Sequence, residues 1–150
     1  MKSIPFVKIS KEFLIENYNV FKELSKQIEN DYWTLENYLY ELPLKWELSE
    51  AYILNKQIAG FNIASHKQDH FYIHRIVVSK KYHNRGIGKA LIFSLINKAK
   101  SNNIKSISLK VAIHNTKAFN FYLKLGFKKV DETQNYADPR ISSYILQLNF

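Results

Sequence analysis

One stretch, residues 73–91, limits the folds open to this chain more than any other. It reads Ile-His-Arg-Ile-Val-Val-Ser-Lys-Lys-Tyr-His-Asn-Arg-Gly-Ile-Gly-Lys-Ala-Leu. An apolar, β-branched run ends at Val78, a polar turn follows, and Gly86 and Gly88 open a helical pattern, so we predict a strand, a loop and a helix. The free N–H groups of the helix start, with Arg85 and Lys89 beside them, favour an anion such as a pyrophosphate.

A second stretch, residues 115–127, predicts another helix with defined ends. Asn115 is suited to the N-cap, and Gly126 to the position just after the helix. Between them the residues at helical spacing predict one apolar face: Ala118, Phe121, Tyr122 and Leu125.

The two stretches together resemble the GNAT superfamily of acetyl-CoA-dependent N-acetyltransferases. Residues 83–88 (His-Asn-Arg-Gly-Ile-Gly), followed by Ala-Leu, are similar to the family's acyl-CoA loop, which usually reads Gln/Arg-x-x-Gly-x-Gly/Ala. The stretch 115–127 is similar to its second signature, at the expected distance downstream. The resemblance covers about residues 58–130 and departs from the pattern at His83, where the family has Gln or Arg.

The resemblance implies a GNAT fold of the α/β (α+β) class in a single domain, residues 1–150. Such a fold has a mixed, mostly antiparallel sheet of about six to seven strands with a splayed parallel pair, flanked by about four helices. Hydrophobic periodicity predicts strands over 4–9, 51–54, 57–65, 70–78, 106–111, 127–133 and 141–149, and helices over 10–27, 32–42, 86–101 and 116–125.

The resemblance also implies acetyl-CoA as the acyl donor, with no metal. Main-chain N–H groups of the loop would bind the pyrophosphate, so the change at His83 should leave the cradle intact. The residues that we predict to bind the donor are Ile76, Val77, Val78, His83, Asn84, Arg85, Gly86, Ile87, Gly88, Lys89, Asn115, Ala118 and Tyr122.

Three residues are candidates for catalysis. Tyr122 is the candidate acid, because a phenol with a pKa near 10 stays protonated until a departing thiolate takes or shares its proton. The alternative is a core tyrosine. Many relatives have a glutamate base on the strand ending at Val78, and this strand has none. Alternation would put Tyr72, His74, Ile76 and Val78 on one face, so Tyr72 and His74 are candidates for the base, with a structural His74 as the alternative.

Composition narrows the classes of site. The chain has no cysteine, which excludes disulfides, thiolate zinc sites and a cysteine nucleophile. His66, His70 and His74 recur every four residues, which on a strand spans roughly 13 Å and is too far to share one metal ion. No apolar run approaches the roughly 18 residues of a membrane helix, and no signal peptide is evident, so we expect a cytoplasmic protein.

The net charge of +9 arises in the second half of the chain, since the first half is slightly acidic. Residues 1–75 carry nine basic and ten acidic side chains, and residues 76–150 carry thirteen and three. A basic half suits either a nucleic acid or a coenzyme with several phosphates. The aromatic residues fall at core-periodic positions, which favours the coenzyme.

The acceptor side is less defined. Residues 29–50 interleave acidic and aromatic side chains, which form either a solvated helix face over a core or a mouth that attracts a cationic amine. Residues 135–140 resemble a segment of protein N-terminal acetyltransferases, and a turn explains them equally well. We predict a primary amine as acceptor: a polyamine, an amino sugar, an aminoglycoside or a peptide N-terminus.

Two other functions stay open at this point. One is a non-catalytic acyl-CoA-binding module with the same fold, and the other is a basic nucleic-acid-binding domain, which we consider less favoured. The oligomeric state is not determined by the sequence, although dimers are common in the family.

Overall fold

The structure, a computed structural model, describes residues 5–29, 31–134 and 142–150. The segment 135–140 discussed above lies outside these residues. Within them are seven strands: β1 (Phe6–Lys8), β2 (Glu50–Leu54), β3 (Gln57–Lys67), β4 (His70–Val78), β5 (Ser106–Ala112), β6 (Lys128–Thr133) and β7 (Ser143–Asn149). The described helices are α1 (Lys11–Glu16), α2 (Tyr18–Ser25), α3 (Leu35–Leu39), α4 (Lys45–Leu48), α5 (Ile87–Ser101) and α6 (Thr116–Lys124), with a 3₁₀ turn at Lys80–Tyr82.

The strands form one mixed sheet in the order β1-β2-β3-β4-β5-β7-β6. The β4–β5 pair is parallel and the other neighbours in the described sheet are antiparallel. The parallel pair is short, since only Phe71–Ile73 pairs with Ile107–Leu109. Both strands continue past this contact without pairing to each other, so the sheet is splayed at its centre as predicted.

Helices cover both faces of the sheet. On one face, α5 buries the side chains that its periodicity predicts: Ile87, Leu91, Leu95 and Ala99. On the other face, Leu14 of α1 and Phe21 of α2 pack against Phe61 and Val77. The strands β2 and β3 are joined by a tight turn at Asn55-Lys56, where both residues have the positive φ that a two-residue hairpin turn requires. In the described part of the chain no helix is long and apolar enough to cross a bilayer.

The first half of the chain differs from its predicted helices. The helix predicted over 10–27 is broken at Asn17, whose φ is −110° and whose side-chain amide donates to the Phe13 carbonyl, 2.8 Å away. Asparagine favours such local bonds over an uninterrupted helix. The helix predicted over 32–42 is only the short α3, and α4 follows after Pro43. The described chain therefore has six helices where about four were predicted.

Candidate active site

The predicted anion loop lies between β4 and α5. Asn84 and Gly86 adopt left-handed backbone conformations, with φ of 64° and 76°, and α5 starts immediately afterwards. Within the described residues, the backbone N–H groups of 84–89 have no hydrogen-bond partner, and the first helical bond runs from Ala90 N–H to Gly86 O. Free donors at the start of a fifteen-residue helix fit a pyrophosphate.

A cleft opens where the parallel strands diverge. Its volume is about 1250 Å³, and residues 73–78 of β4 and 109–112 of β5 form its walls. Of the residues predicted to bind the donor, those that line the cleft are Ile76, Val77, Val78, His83, Asn115, Ala118 and Tyr122. The others form the loop and the first turn of α5: Asn84, Arg85, Gly86, Ile87, Gly88 and Lys89. A long, narrow ligand with an anionic end fits this combination of cleft and loop.

A bulge at His74 overturns the predicted alternation along β4. Ile63 and Ala64 of β3 pair with Arg75 and Ile73, so His74 is an extra residue without an opposite partner. Such a residue reverses which face the following side chains occupy. Ile73 accordingly packs with the α5 side, and Val77, an even number of residues later, packs with the α2 side.

The faces of β4 are therefore divided. Ile73 and Ile76 pack on the face of the sheet that α5 covers. Tyr72 and His74 are the neighbours of Ile73 along the strand, and they lie on the opposite face. Tyr72, His74, Ile76 and Val78 do not share one face. His74 lines the cleft from the α2 side, and Tyr72 stands behind it, with the two ring centroids 4.8 Å apart.

Tyr122 lies on α6 and lines the cleft. The ring is 8% exposed and packs between Phe121 and Phe127, with centroids 5.2 and 5.5 Å away. No group in the described residues hydrogen-bonds the hydroxyl. Burial raises the pKa of the Tyr122 phenol above its ordinary value, so it is protonated throughout the neutral range. The two predicted ends of α6 are confirmed: Asn115 Oδ1 accepts from Ala118 N–H, and Gly126 has a φ of 102°.

His74 is neutral at physiological pH. Burial and the nearby cations Lys45 and Lys67 lower its pKa from 6.5 to about 4. One ring nitrogen, Nε2, lies 2.7 Å from Ser65 Oγ. Tyr72 has a raised pKa, through burial and the neighbouring Tyr32, so its phenol keeps its proton. His74 can accept a proton, and Tyr72 cannot accept one in the neutral range.

Of the two interpretations of residues 29–50, a solvated face and an acidic mouth, the mouth has little support from the positions of the carboxylates. Of the acidic residues in 29–50, Glu29 lines the cleft, where its carboxylate accepts from His114 Nε2 at 2.7 Å. Glu41 instead pairs with Lys11, and Glu50 accepts from Ser94 and lies 3.1 Å from Lys98 Nζ. These two carboxylates are neutralised away from the cleft.

An arginine that the sequence analysis did not single out fixes the α2 wall of the cleft. Arg75 is buried on β4, and its guanidinium donates to Asp31 at 2.5 Å and to the hydroxyls of Ser25 and Tyr38 at 3.2 and 3.1 Å. It also stacks on the Trp33 ring at 4.1 Å. Asp31 precedes Tyr32, whose 77% exposed side chain lines the cleft.

We expect the Arg75→Met variant to lose about 3–5 kcal/mol of unfolding free energy, because it leaves the Asp31 carboxylate partly buried without its cation. Chemical denaturation followed by circular dichroism measures this loss. Lys26→Met, which removes an exposed ion pair with Glu23, is the control and should change stability by less than about 1 kcal/mol. An Arg75→Met loss as small as the control's would show that the cluster does not hold this wall.

The splayed sheet, the free amides of the loop and the phenol in the cleft define an acyl-CoA-dependent transferase. Comparison with known proteins agrees: residues 14–127 match the model of the acetyltransferase (GNAT) family, and the chain belongs to that family. Its donor is acetyl-CoA and its acceptor is an amine. The residues of the loop and cleft fit this donor, although it is not part of the structure.

Individual relatives support the same assignment. The chain is 34% identical to the [ribosomal protein bS18]-alanine N-acetyltransferase of Haemophilus influenzae over 103 residues, which are 69% of this chain and 67% of that protein. The corresponding Escherichia coli enzyme has a similar structure, with a TM-score of 0.80 at 22% identity, over 96% of this chain and 92% of that one. Arabidopsis thaliana Naa50, in complex with the bisubstrate analogue CoA-Ac-MVNAL, gives a TM-score of 0.81 at 22% identity over 97% of both chains.

Proposed function

We propose that this enzyme acetylates the N-terminal α-amino group of a peptide or protein. The observation that carries the proposal is the setting of His74, which lies in the cleft wall with Nε2 2.7 Å from Ser65 Oγ and whose burial lowers its pKa to about 4, so that it is a weak base. The acceptor must therefore arrive largely neutral. An α-amine with a pKa near 7.8 meets this requirement, and a lysine ε-amine or a polyamine with pKa values near 10 does not.

The relatives give independent support to an α-amine acceptor. The Haemophilus influenzae relative is named for acetylating an alanine of ribosomal protein bS18, and Naa50 was solved with an analogue that joins CoA to the peptide MVNAL. The cleft also suits a peptide, because Glu29 and Tyr32 line it with side chains that are largely exposed to solvent.

The donor would be held by the chain's main-chain groups. The N–H groups of residues 84–89 would bind the pyrophosphate, and the gap between β4 and β5 would hold the pantetheine arm. Bound acetyl-CoA supplies a thioester carbonyl that an amine can attack. Val78 N–H lies on the cleft side of β4 and has no partner among the described residues, so we assign it to the carbonyl oxygen.

Two side chains would move the protons. His74 accepts a proton from the nitrogen only after the nitrogen has bonded to the carbonyl carbon, which makes its N–H far more acidic, and Tyr122 Oη–H donates a hydrogen bond to the sulfur as the carbon–sulfur bond breaks. The proton reaches His74 directly or through water. Tyr72 keeps the His74 ring in place by packing against it. The phenol is suited to this role because its raised pKa keeps the proton on oxygen in the neutral range, so that its O–H can stabilise the developing thiolate by a hydrogen bond. Since a free thiol has a pKa near 8.5, below that of the phenol, the thiolate shares this proton and obtains its own from water after it leaves.

A matched pair of peptides tests the acceptor class. One has a free N-terminus and no lysine, and the other is the same peptide with a blocked N-terminus and a single lysine. We expect kcat/KM for the first to exceed that for the second by at least about tenfold near pH 7.5, because far more of the α-amine is neutral. Thiol release and product mass measure both rates. Equal rates, or a faster lysine peptide, would contradict the proposal.

The pH profile of the α-amine reaction provides a further prediction. Because the lowered pKa leaves His74 neutral from about pH 6 upward, kcat/KM should rise with pH until the acceptor amine is neutral, near pH 8, and then level off. A histidine base of ordinary pKa would add a second break near pH 6.5. Steady-state rates with acceptors of different amine pKa distinguish the two, since only the acceptor's break moves with the peptide.

A further inference from the structure

Two side chains hold the carbonyl oxygen of Val78, at the end of β4. Gln27 Nε2 donates to it at 2.8 Å, and His83 Nε2 donates at 2.9 Å. Since a carbonyl only accepts, the His83 ring carries its proton on Nε2. The other end of the Gln27 amide is also occupied, because Oε1 accepts from Lys80 N–H at 3.0 Å.

The bonds of Gln27 imitate those of a neighbouring strand. In a parallel ladder, one residue donates to the carbonyl of residue i−1 and accepts from the N–H of residue i+1 on the next strand. Gln27 makes this pair of bonds around Ser79, with Val78 O and Lys80 N–H. Its side-chain amide thus resumes the ladder that β5 leaves at Ile73.

The register between β3 and β4 shows which way the backbone groups of β4 point between Ile73 and Val78. Ser79 N–H donates to Ala59 O on β3, so the polar groups of Ser79 and Val77 face β3 and those of Val78 and Ile76 face the cleft. Among the described residues, Ile76 N–H and Val78 N–H have no partner. On this edge of β4, the stretch between Ile73 and Val78 is held by β5 at its first end and by Gln27 at its last end.

We propose that Gln27 is a positioning residue that aims the Val78 N–H at the oxygen of the reacting carbonyl. This inference rests on the proposed function. Gln27 follows α2 by two residues and acts through Val78, and the His83 bond supports the same carbonyl from the loop. Gln27 also lines the cleft together with its neighbours Ile28 and Glu29, so the cleft wall next to α2 is directly connected to the strand that binds the carbonyl oxygen.

Gln27→Met is the main test, since it keeps the length of the side chain and removes both bonds. We expect kcat to fall by about tenfold, which is less than the loss of a whole oxyanion donor because His83 still holds Val78. KM for acetyl-CoA and for the peptide should change by less than about twofold, because the pyrophosphate and acceptor contacts remain. Lys26→Met, one residue earlier and pointing to solvent, is the control.

Infrared spectroscopy distinguishes a misaligned Val78 N–H from a general structural defect of the variant. With an isotope-labelled acetyl carbonyl, bound acetyl-CoA should show a carbonyl band at lower frequency in the wild type than in Gln27→Met. The Gln27→Glu variant can accept from Lys80 N–H but, when ionised, cannot donate to Val78 O. We expect it to behave like Gln27→Met, and it replaces that variant in the test if Gln27→Met does not fold. If the wild type is active and the variants keep its kcat and its carbonyl band, Gln27 does not have this role. A wild type inactive on every peptide would instead overturn the proposed function.

Discussion

Replacing Tyr122 by phenylalanine is expected to lower kcat by about 100-fold or more, the usual contribution of a positioned general acid. The hydroxyl has no partner in the described chain, so its removal breaks no internal bond. The ring stays packed between Phe121 and Phe127, and the fold is therefore preserved. KM for acetyl-CoA should stay within about twofold, because the lost interaction forms only as the thiolate leaves.

Thiol release at saturating donor, from about pH 6 to about pH 9, measures the effect of Tyr122→Phe. Tyr52→Phe is the matched control, because Tyr52 packs edge-on against Phe6 at 5.5 Å on β2 and is not among the residues lining the cleft. Its kcat should equal that of the wild type. If Tyr122→Phe also retained wild-type kcat at every pH, the acid would be another group.

The double variant Arg85→Ala/Lys89→Ala is expected to raise KM for acetyl-CoA by about 100-fold, with little change in kcat. Both side chains flank the free amides of the loop, and neither has a carboxylate partner among the described residues. Charge-assisted hydrogen bonds to phosphate contribute about 1.5–3 kcal/mol each, and partial exposure to water reduces that figure.

Titration with acetyl-CoA at two salt concentrations measures this second effect. The difference between wild type and double variant should shrink as salt screens the charges. Lys100→Ala is the control. Arg85 and Lys89 each stand over an aromatic ring, and Lys100 does the same over Phe150, but it lies near the opposite end of α5. A double variant with wild-type KM at low salt would mean that the phosphates bind elsewhere.

The sequence was most informative where structure is determined locally. The strand, loop and helix of residues 73–91 were predicted because β-branched residues, glycines and helical periodicity follow one another without conflict. The ends of α6 were predicted for the same reason, since Asn115 caps through its own side chain and Gly126 has the positive φ that glycine favours.

Features that depend on contacts between distant residues were not predicted. The bulge at His74 is set by the register between β3 and β4, and it reversed the faces that simple alternation assigns. The ion pair between Arg75 and Asp31 and the bonds from Gln27 to Val78 join residues 44 and 51 positions apart. No local pattern marks such pairs.

The sequence could not decide between a solvated face and an acidic mouth in residues 29–50 for a related reason. Whether a carboxylate faces a ligand or a lysine depends on its tertiary neighbours, and Glu41 and Glu50 are paired with cations elsewhere in the fold. Sequence alone also gave His74 an ordinary pKa. Its lowered pKa comes from burial and from Lys45 and Lys67, which lie far away in the chain or on another strand.

A crystal structure of the complex with CoA would give the distance between Tyr122 Oη and the coenzyme sulfur, on which the proposed mechanism depends. We expect hydrogen-bonding reach, about 3.5 Å for a hydroxyl and a sulfur, with the pyrophosphate on the N–H groups of residues 84–89. A sulfur far from Tyr122, or a pyrophosphate bound away from this loop, would contradict this mechanism.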